Sequence, residues 1–119
     1  MFKSVRTSLL SRSSAVLMVS LIAFAAVAAD APHLTRDFLV YCKANFDGCE
    51  EQIEAVHISD IISKKVSYCI PKSATASSEG FIAFHRGIVV WLSDHPALHD
   101  RSTGDSIRSA FSSLYPCQR

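Results

Sequence analysis

Five histidines, four cysteines and one group of carboxylates are the residues whose types could do chemistry in this chain of 119 residues. His57 stands three residues before Asp60. On a helix that spacing puts imidazole and carboxylate on one face, the arrangement of a general-base pair. Such a pair needs a nucleophile, and none stands in a recognisable setting. The chain has no CxxC redox pair, no HExxH zinc motif, no GxSxG elbow and no phosphate-binding glycine loop. His57 with Asp60 therefore reads as a surface or capping pair. His85 falls within the apolar face of a helix and reads as a core or rim histidine with a hydrogen-bonded ring. His95 and His99 are four apart, but Pro96 between them disrupts a helical ligand pair. His33 lies in a leader segment. The expectation is no catalytic residue, no metal and no cofactor.

The cysteines are Cys42, Cys49, Cys69 and Cys117. An even number in a short exported chain reads as a disulfide framework. Four cysteines allow three connectivities, and spacing alone does not choose among them. On the loop-entropy model a Cys42–Cys49 bridge is worth about 2.5 kcal/mol and a Cys69–Cys117 bridge about 4 kcal/mol. Glu50, Glu51, Glu54 and Asp60 form the carboxylate group. Its plain reading is a solvated helix face; its sharper reading is a docking surface for a basic protein partner, since acidic side chains speed and orient such an encounter.

What positions these residues begins after a leader. Lys3, Arg6 and Arg12 precede an apolar run from Ala15 to Val27, and Ala26-Val27-Ala28-Ala29 offers small residues for a signal peptidase. This is the pattern of a cleaved secretory signal over residues 1–29, too short for a membrane anchor, with a mature domain at 30–119 destined for the periplasm. Three of the 12 basic residues and none of the 11 acidic ones lie in that leader, so the mature chain is mildly acidic. A chain of that sign has no strong electrostatic term for nucleic acid or anionic lipid.

The mature part reads as all-α, a small four-helix domain. Thr35 is an expected N-cap for a short helix from Arg36 to Ala44, closed by a turn at Asn45-Phe46-Asp47-Gly48. A second helix is expected from Cys49 to Lys65. Its apolar residues fall out of phase: Cys49, Ile53 and Val56 share one face, while Ile58, Ile61, Ile62 and Val66 lie on roughly the opposite one. Either the helix breaks near His57-Ile58-Ser59, or it is buried on two sides. Pro71 ends that unit. Ser77 or Ser78 caps a third helix from Glu79 to Asp94, whose Phe81, Ile82, Phe84, Ile88, Val89, Trp91 and Leu92 mark it as a core helix; Gly87 would let a neighbouring helix approach. A fourth, from Thr103 to Tyr115, carries Ile107, Ala110, Phe111 and Leu114 at helical spacing. Trp91 and the phenylalanines are expected to form the core.

The order of motifs resembles the Rap/Tai family of immunity proteins, which neutralise peptidoglycan amidase effectors of type VI secretion. That family has a first-helix cysteine, then a helix opening as C-x-G-Y-I-x-G-V, then C-[VI]-P, a long helix ending in L-x-x-x-P, and a last helix ending in aromatic-P-C. Here the matching pieces are Tyr41-Cys42, CEEQIEAV from Cys49 to Val56, Cys69-Ile70-Pro71, Trp91 to Pro96 as WLSDHP, and Tyr115-Pro116-Cys117. The match spans essentially the whole mature chain. Glu51, Gln52 and Ala55 depart from the family's Gly, Tyr and Gly. The resemblance implies pairing of Cys42 with Cys49 and of Cys69 with Cys117. It also implies a periplasmic inhibitor that occludes an amidase cleft, a homodimer among its partners, and no catalysis. The rival readings are another periplasmic binding module on the same scaffold, a small chaperone or envelope-complex subunit, and an enzyme using His57 or His85.

Overall fold

Asn45 decides where the first two helices divide. In the computed structural model, which describes residues 32–118, α1 (Thr35–Ala44) and α2 (Phe46–Ile62) are separated by this single residue. Its backbone N–H donates to the Tyr41 carbonyl at 2.8 Å and its side-chain oxygen accepts from the Gly48 N–H at 3.0 Å. It thus closes one helix and caps the next. The expected turn at 45–48 is instead the first turn of α2, because turn formers and N-cap residues are the same types; Asp47 sits there to advantage against the helix dipole. A side chain on Gly48 would collide with the Tyr41 hydroxyl, so only glycine admits this approach. The Cys42–Cys49 disulfide clamps the junction, with its Cα atoms 5.0 Å apart.

α2 neither breaks near His57 nor buries two faces. It runs unbroken, with Cys49, Ile53 and Asp60 buried on one side. Ile58, Ile61, Ile62 and Val66 are 52%, 53%, 76% and 43% exposed. Their stripe points outward because α1 and α4 pack against the inner side alone. α2 ends three residues before the expected Lys65. Lys64 adopts φ 56°, and the Lys64 and Lys65 N–H groups donate back to the Ile61 and Asp60 carbonyls at 3.2 and 2.9 Å. This left-handed turn satisfies the last carbonyls and reverses the chain.

The reversed segment crosses to the C-terminus. Tyr68 pairs with Pro116 in an isolated bridge, the Cys69 N–H donates to the Tyr115 carbonyl at 2.8 Å, and the Cys69–Cys117 disulfide locks the two together. A 3-10 turn (Lys72–Ala74) then leads into α3 (Ser78–Ser93). Ser77 caps α3 by accepting from the Gly80 N–H at 3.0 Å. A Cβ on Gly80 would lie 2.5 Å from the Ser73 carbonyl oxygen, so glycine lets the turn lean on the helix start.

At the far end of α3, His95 Nδ1–H donates to the Trp91 carbonyl at 2.6 Å and His99 Nε2–H donates to the Leu92 carbonyl at 2.9 Å. Both histidines therefore cap a helix C-terminus. A second 3-10 turn (Pro96–Leu98) follows, and Ser102 caps α4 (Thr103–Leu114) through the Asp105 N–H at 3.3 Å. Thr35 is not the cap expected of it. It is the first residue of α1, fully buried, with its hydroxyl 2.6 Å from Ser106 Oγ and 3.0 Å from the Arg101 carbonyl. The first N–H groups of α1 donate to the Arg101 and His99 carbonyls instead, at 3.0 and 3.1 Å.

α1 and α4 each pack against the other three helices, and α2 meets α3 through Glu54 and His85. The core is Phe38, Ile53, Ile88, Leu92, Ile107 and Phe111, all inaccessible to solvent. Trp91 and Phe81 stand only half-buried at its edge, Trp91 stacked on His95 with ring centroids 3.7 Å apart, and Leu114 is 40% exposed. The domain is all-α with four helices and two disulfides, paired as the resemblance implies. Two closed bridges mark it as a product of an oxidising, exported compartment. Among the described residues no helix is long and apolar enough to cross a membrane. The expected signal sequence at residues 1–29 lies outside the described residues.

Candidate functional site

Asp60 is the first residue that departs from its expected place. It faces inward from α2, only 2% exposed, rather than outward with the other acids. α4 brings Arg108 to it, and the segment after α2 brings Tyr68. One carboxylate oxygen accepts from Arg108 Nε at 2.8 Å and the other from the Tyr68 hydroxyl at 3.0 Å. The Tyr68 oxygen stands 3.1 Å from His57 Nδ1, which donates to it. His57 and Asp60 thus meet, but through Tyr68. Burial, and then the hydrogen bond to Asp60, push the Tyr68 hydroxyl well above its ordinary pKa; the same carboxylate raises that of Arg108. The Tyr68 phenol proton and the Arg108 Nε proton are both committed to the Asp60 carboxylate. The network ties α2, the crossing segment and α4 together, and its buried carboxylate is tolerable because both oxygens are paired.

His85 occupies the second polar site. It is fully buried on α3, and its ring lies against Phe81 and Phe84 with centroids 4.2 and 4.9 Å away. Nδ1 stands 2.7 Å from the Phe81 carbonyl and Nε2 2.8 Å from Glu54 Oε1. Both nitrogens stand within hydrogen-bond distance of an oxygen, so the ring is held at both ends. This is the hydrogen-bonded core histidine expected of it, and it fixes Glu54 from below. Among the described residues no group of three metal-ligating side chains comes together, and every buried side-chain nitrogen or oxygen has a partner.

The remaining expected residues line a surface hollow. Glu50, Glu51 and Glu54 stand with Asp47 around a groove of about 470 Å³ floored by Ala55, Ile58 and Phe81. The acidic group is thus a rim around an apolar floor, and Asp60 is not part of it. A second groove of similar volume runs along α3, between Glu79, Ile82, Ala83, Arg86, Gly87 and Val90. A Cβ on Gly87 would meet nothing within 4 Å, so no neighbouring helix uses that glycine. It keeps the groove open instead, at a cost to the helix of up to about 1 kcal/mol.

Sequence reasoning missed Tyr68, Arg108 and both grooves. The one signal available was the out-of-phase stripe of α2, which describes an outward apolar face as well as it describes a second buried one. Comparison with family models, with curated proteins and with solved structures finds no match to this chain.

Proposed function

We propose that the mature chain is a periplasmic immunity protein, which binds a peptidoglycan amidase effector of type VI secretion and closes its cleft by shape. The observation that carries this reading is the cysteine pairing. Cys42 with Cys49 and Cys69 with Cys117 join the motif positions that the resemblance to the Rap/Tai family pairs, and that pairing supports the reading. The compartment agrees, because disulfides form where the cell wall lies.

An inhibitor of this kind needs a rigid frame and an outward apolar surface. The bridges, the Asp60 network and the buried Thr35–Ser106 contact supply the first. The α3 groove supplies the second. Ile82 and Val90 stand 40% and 54% exposed on either side of Gly87. Large aliphatic groups flanked by Glu79 and Arg86 are the composition of an interface core with a charged rim.

The test is direct. The processed chain is titrated against peptidoglycan amidase effectors of type VI secretion, and release of wall fragments is followed. Tight binding with loss of hydrolysis is expected, weakened by Val90→Asp. An amidase that digests wall at full rate in saturating amounts of the chain would sink the proposal.

A further inference from the structure

The last turn of α2 and the reversal after it form an exposed tip. Every residue from Ile61 to Ser67 is exposed, and Ile61, Ile62 and Val66 reach 53%, 76% and 43%. Lys64 and Lys65 stand among them, where the positive φ of Lys64 turns the chain. None of these residues lines either groove. Aliphatic side chains this open gain little from the core, so the fold does not account for their type. Three of them within six residues make a patch rather than scattered single positions.

Charge sorts the occupant. From Ala55 to Lys72 the sequence holds one acid, Asp60, which is buried and paired with Arg108; Asp105 on α4 shares that arginine. Among the described residues neither Lys64 nor Lys65 pairs with an acid. The nearest acid of the α2 rim, Glu54, lies eight residues or about 12 Å along the helix from Ile62. That exceeds the screening length of about 8 Å in physiological salt. The tip is therefore positive on its own scale, although the mature chain is acidic as a whole.

An aliphatic projection collared by ammonium groups fits a surface that is negative above and apolar beneath. That surface is a bilayer with anionic phosphate headgroups. Isoleucines enter the boundary between headgroups and acyl chains, while lysine stems lie along it and carry their charges back to the phosphates. We infer that the chain docks reversibly on an anionic membrane surface through Ile61, Ile62 and Val66, held by Lys64 and Lys65. The contact is weak: each lysine strengthens it about fivefold, and nothing crosses the bilayer. It uses none of Ile82, Gly87 and Val90 and needs no effector, so it stands or falls apart from the amidase reading.

The experiment uses the oxidised chain recovered from the periplasm and shown by mass to lack residues 1–29. It is sedimented with vesicles of phosphatidylethanolamine and phosphatidylglycerol, and with vesicles of phosphatidylcholine alone. Binding to the anionic vesicles that weakens with added salt is expected, with little binding to the neutral ones. Ile62→Asp, at a side chain too exposed to hold up the fold, should abolish it with an unchanged circular-dichroism spectrum. Lys64→Glu with Lys65→Glu should weaken it at least tenfold, and Val90→Asp should leave it unchanged. No binding to anionic vesicles overturns the inference. So does binding indifferent to Ile62→Asp or to the lysine reversal, or binding lost in Val90→Asp. Self-association in lipid-free buffer that Ile62→Asp abolishes would also overturn it, and would give the tip to a second copy.

Discussion

The Tyr68 hydroxyl donates to the Asp60 carboxylate at 3.0 Å while accepting from His57, so one phenol bridges an imidazole and a buried acid that the chain separates by three residues. Tyr68→Phe keeps the ring contact with Phe111, 4.7 Å between centroids, and deletes only the bridge. One carboxylate oxygen and one ring nitrogen then lose their partners. A loss of about 1–3 kcal/mol is expected, read as a lower denaturation midpoint in urea with an unchanged m-value.

The same bridge sets an alkaline limit. Tyr68 holds its proton more tightly folded than unfolded, through burial and Asp60, and Tyr115 does so through burial. Their contribution is complete below the unfolded phenol pKa of about 10 and is lost as pH rises above it. Stability should fall from about pH 10 upward. Absorbance at 295 nm should show both phenols ionising only as the chain unfolds, and Tyr68→Phe should make the decline shallower. A spectrum in which all tyrosines titrate freely in the folded chain would contradict this.

Glu54 and His85 separate two kinds of substitution. Glu54→Gln offers an amide N–H that can donate to Nε2 while Nδ1–H still serves Phe81, so every polar atom stays paired and a cost under about 1 kcal/mol is expected. Glu54→Ala leaves Nε2 of a fully buried ring bare and should cost about 2 kcal/mol. Thermal denaturation of the pair decides it; equal losses would show that the contact is incidental.

Gly87→Ala should raise stability by about 0.5–1 kcal/mol, because the new methyl meets nothing and the helix gains. Gly87→Trp should keep much of that gain while filling the α3 groove. On the proposed function, stability and effector binding would then move in opposite directions, measurable by melting and by calorimetric titration on one preparation.

Removing the long bridge with Cys69→Ser and Cys117→Ser together should cost about 4 kcal/mol on the loop-entropy model, against about 2.5 kcal/mol for Cys42→Ser with Cys49→Ser. Guanidinium titration of the two double variants gives the order; a reversal would mean that the short bridge does more than close a loop.

Helix number and most ends were legible because their signals are local. Ser77 and Ser102 cap α3 and α4, and Pro71 and Pro96 stand beyond helix ends, as their types require. The mistakes came where the deciding partner is distant in sequence. Thr35 looks like a cap, yet carbonyls at 99 and 101 do that work and free its side chain for the interior. Asp60 looks like one more surface acid, and Arg108, 48 positions away, draws it inward together with Tyr68. The Glu50, Glu51 and Glu54 rim was readable from spacing, whereas its apolar floor depends on Phe81, contributed by a different helix.

Both staples join neighbours in the order in which cysteines occur along the chain: first with second, third with fourth. A chain threaded N-terminus first through an export channel presents them in that order. An oxidant that joins each newly arrived thiol to the last unpaired one therefore reaches the native connectivity directly, without a reshuffling enzyme. The first link can close while the rest of the polypeptide is still in transit.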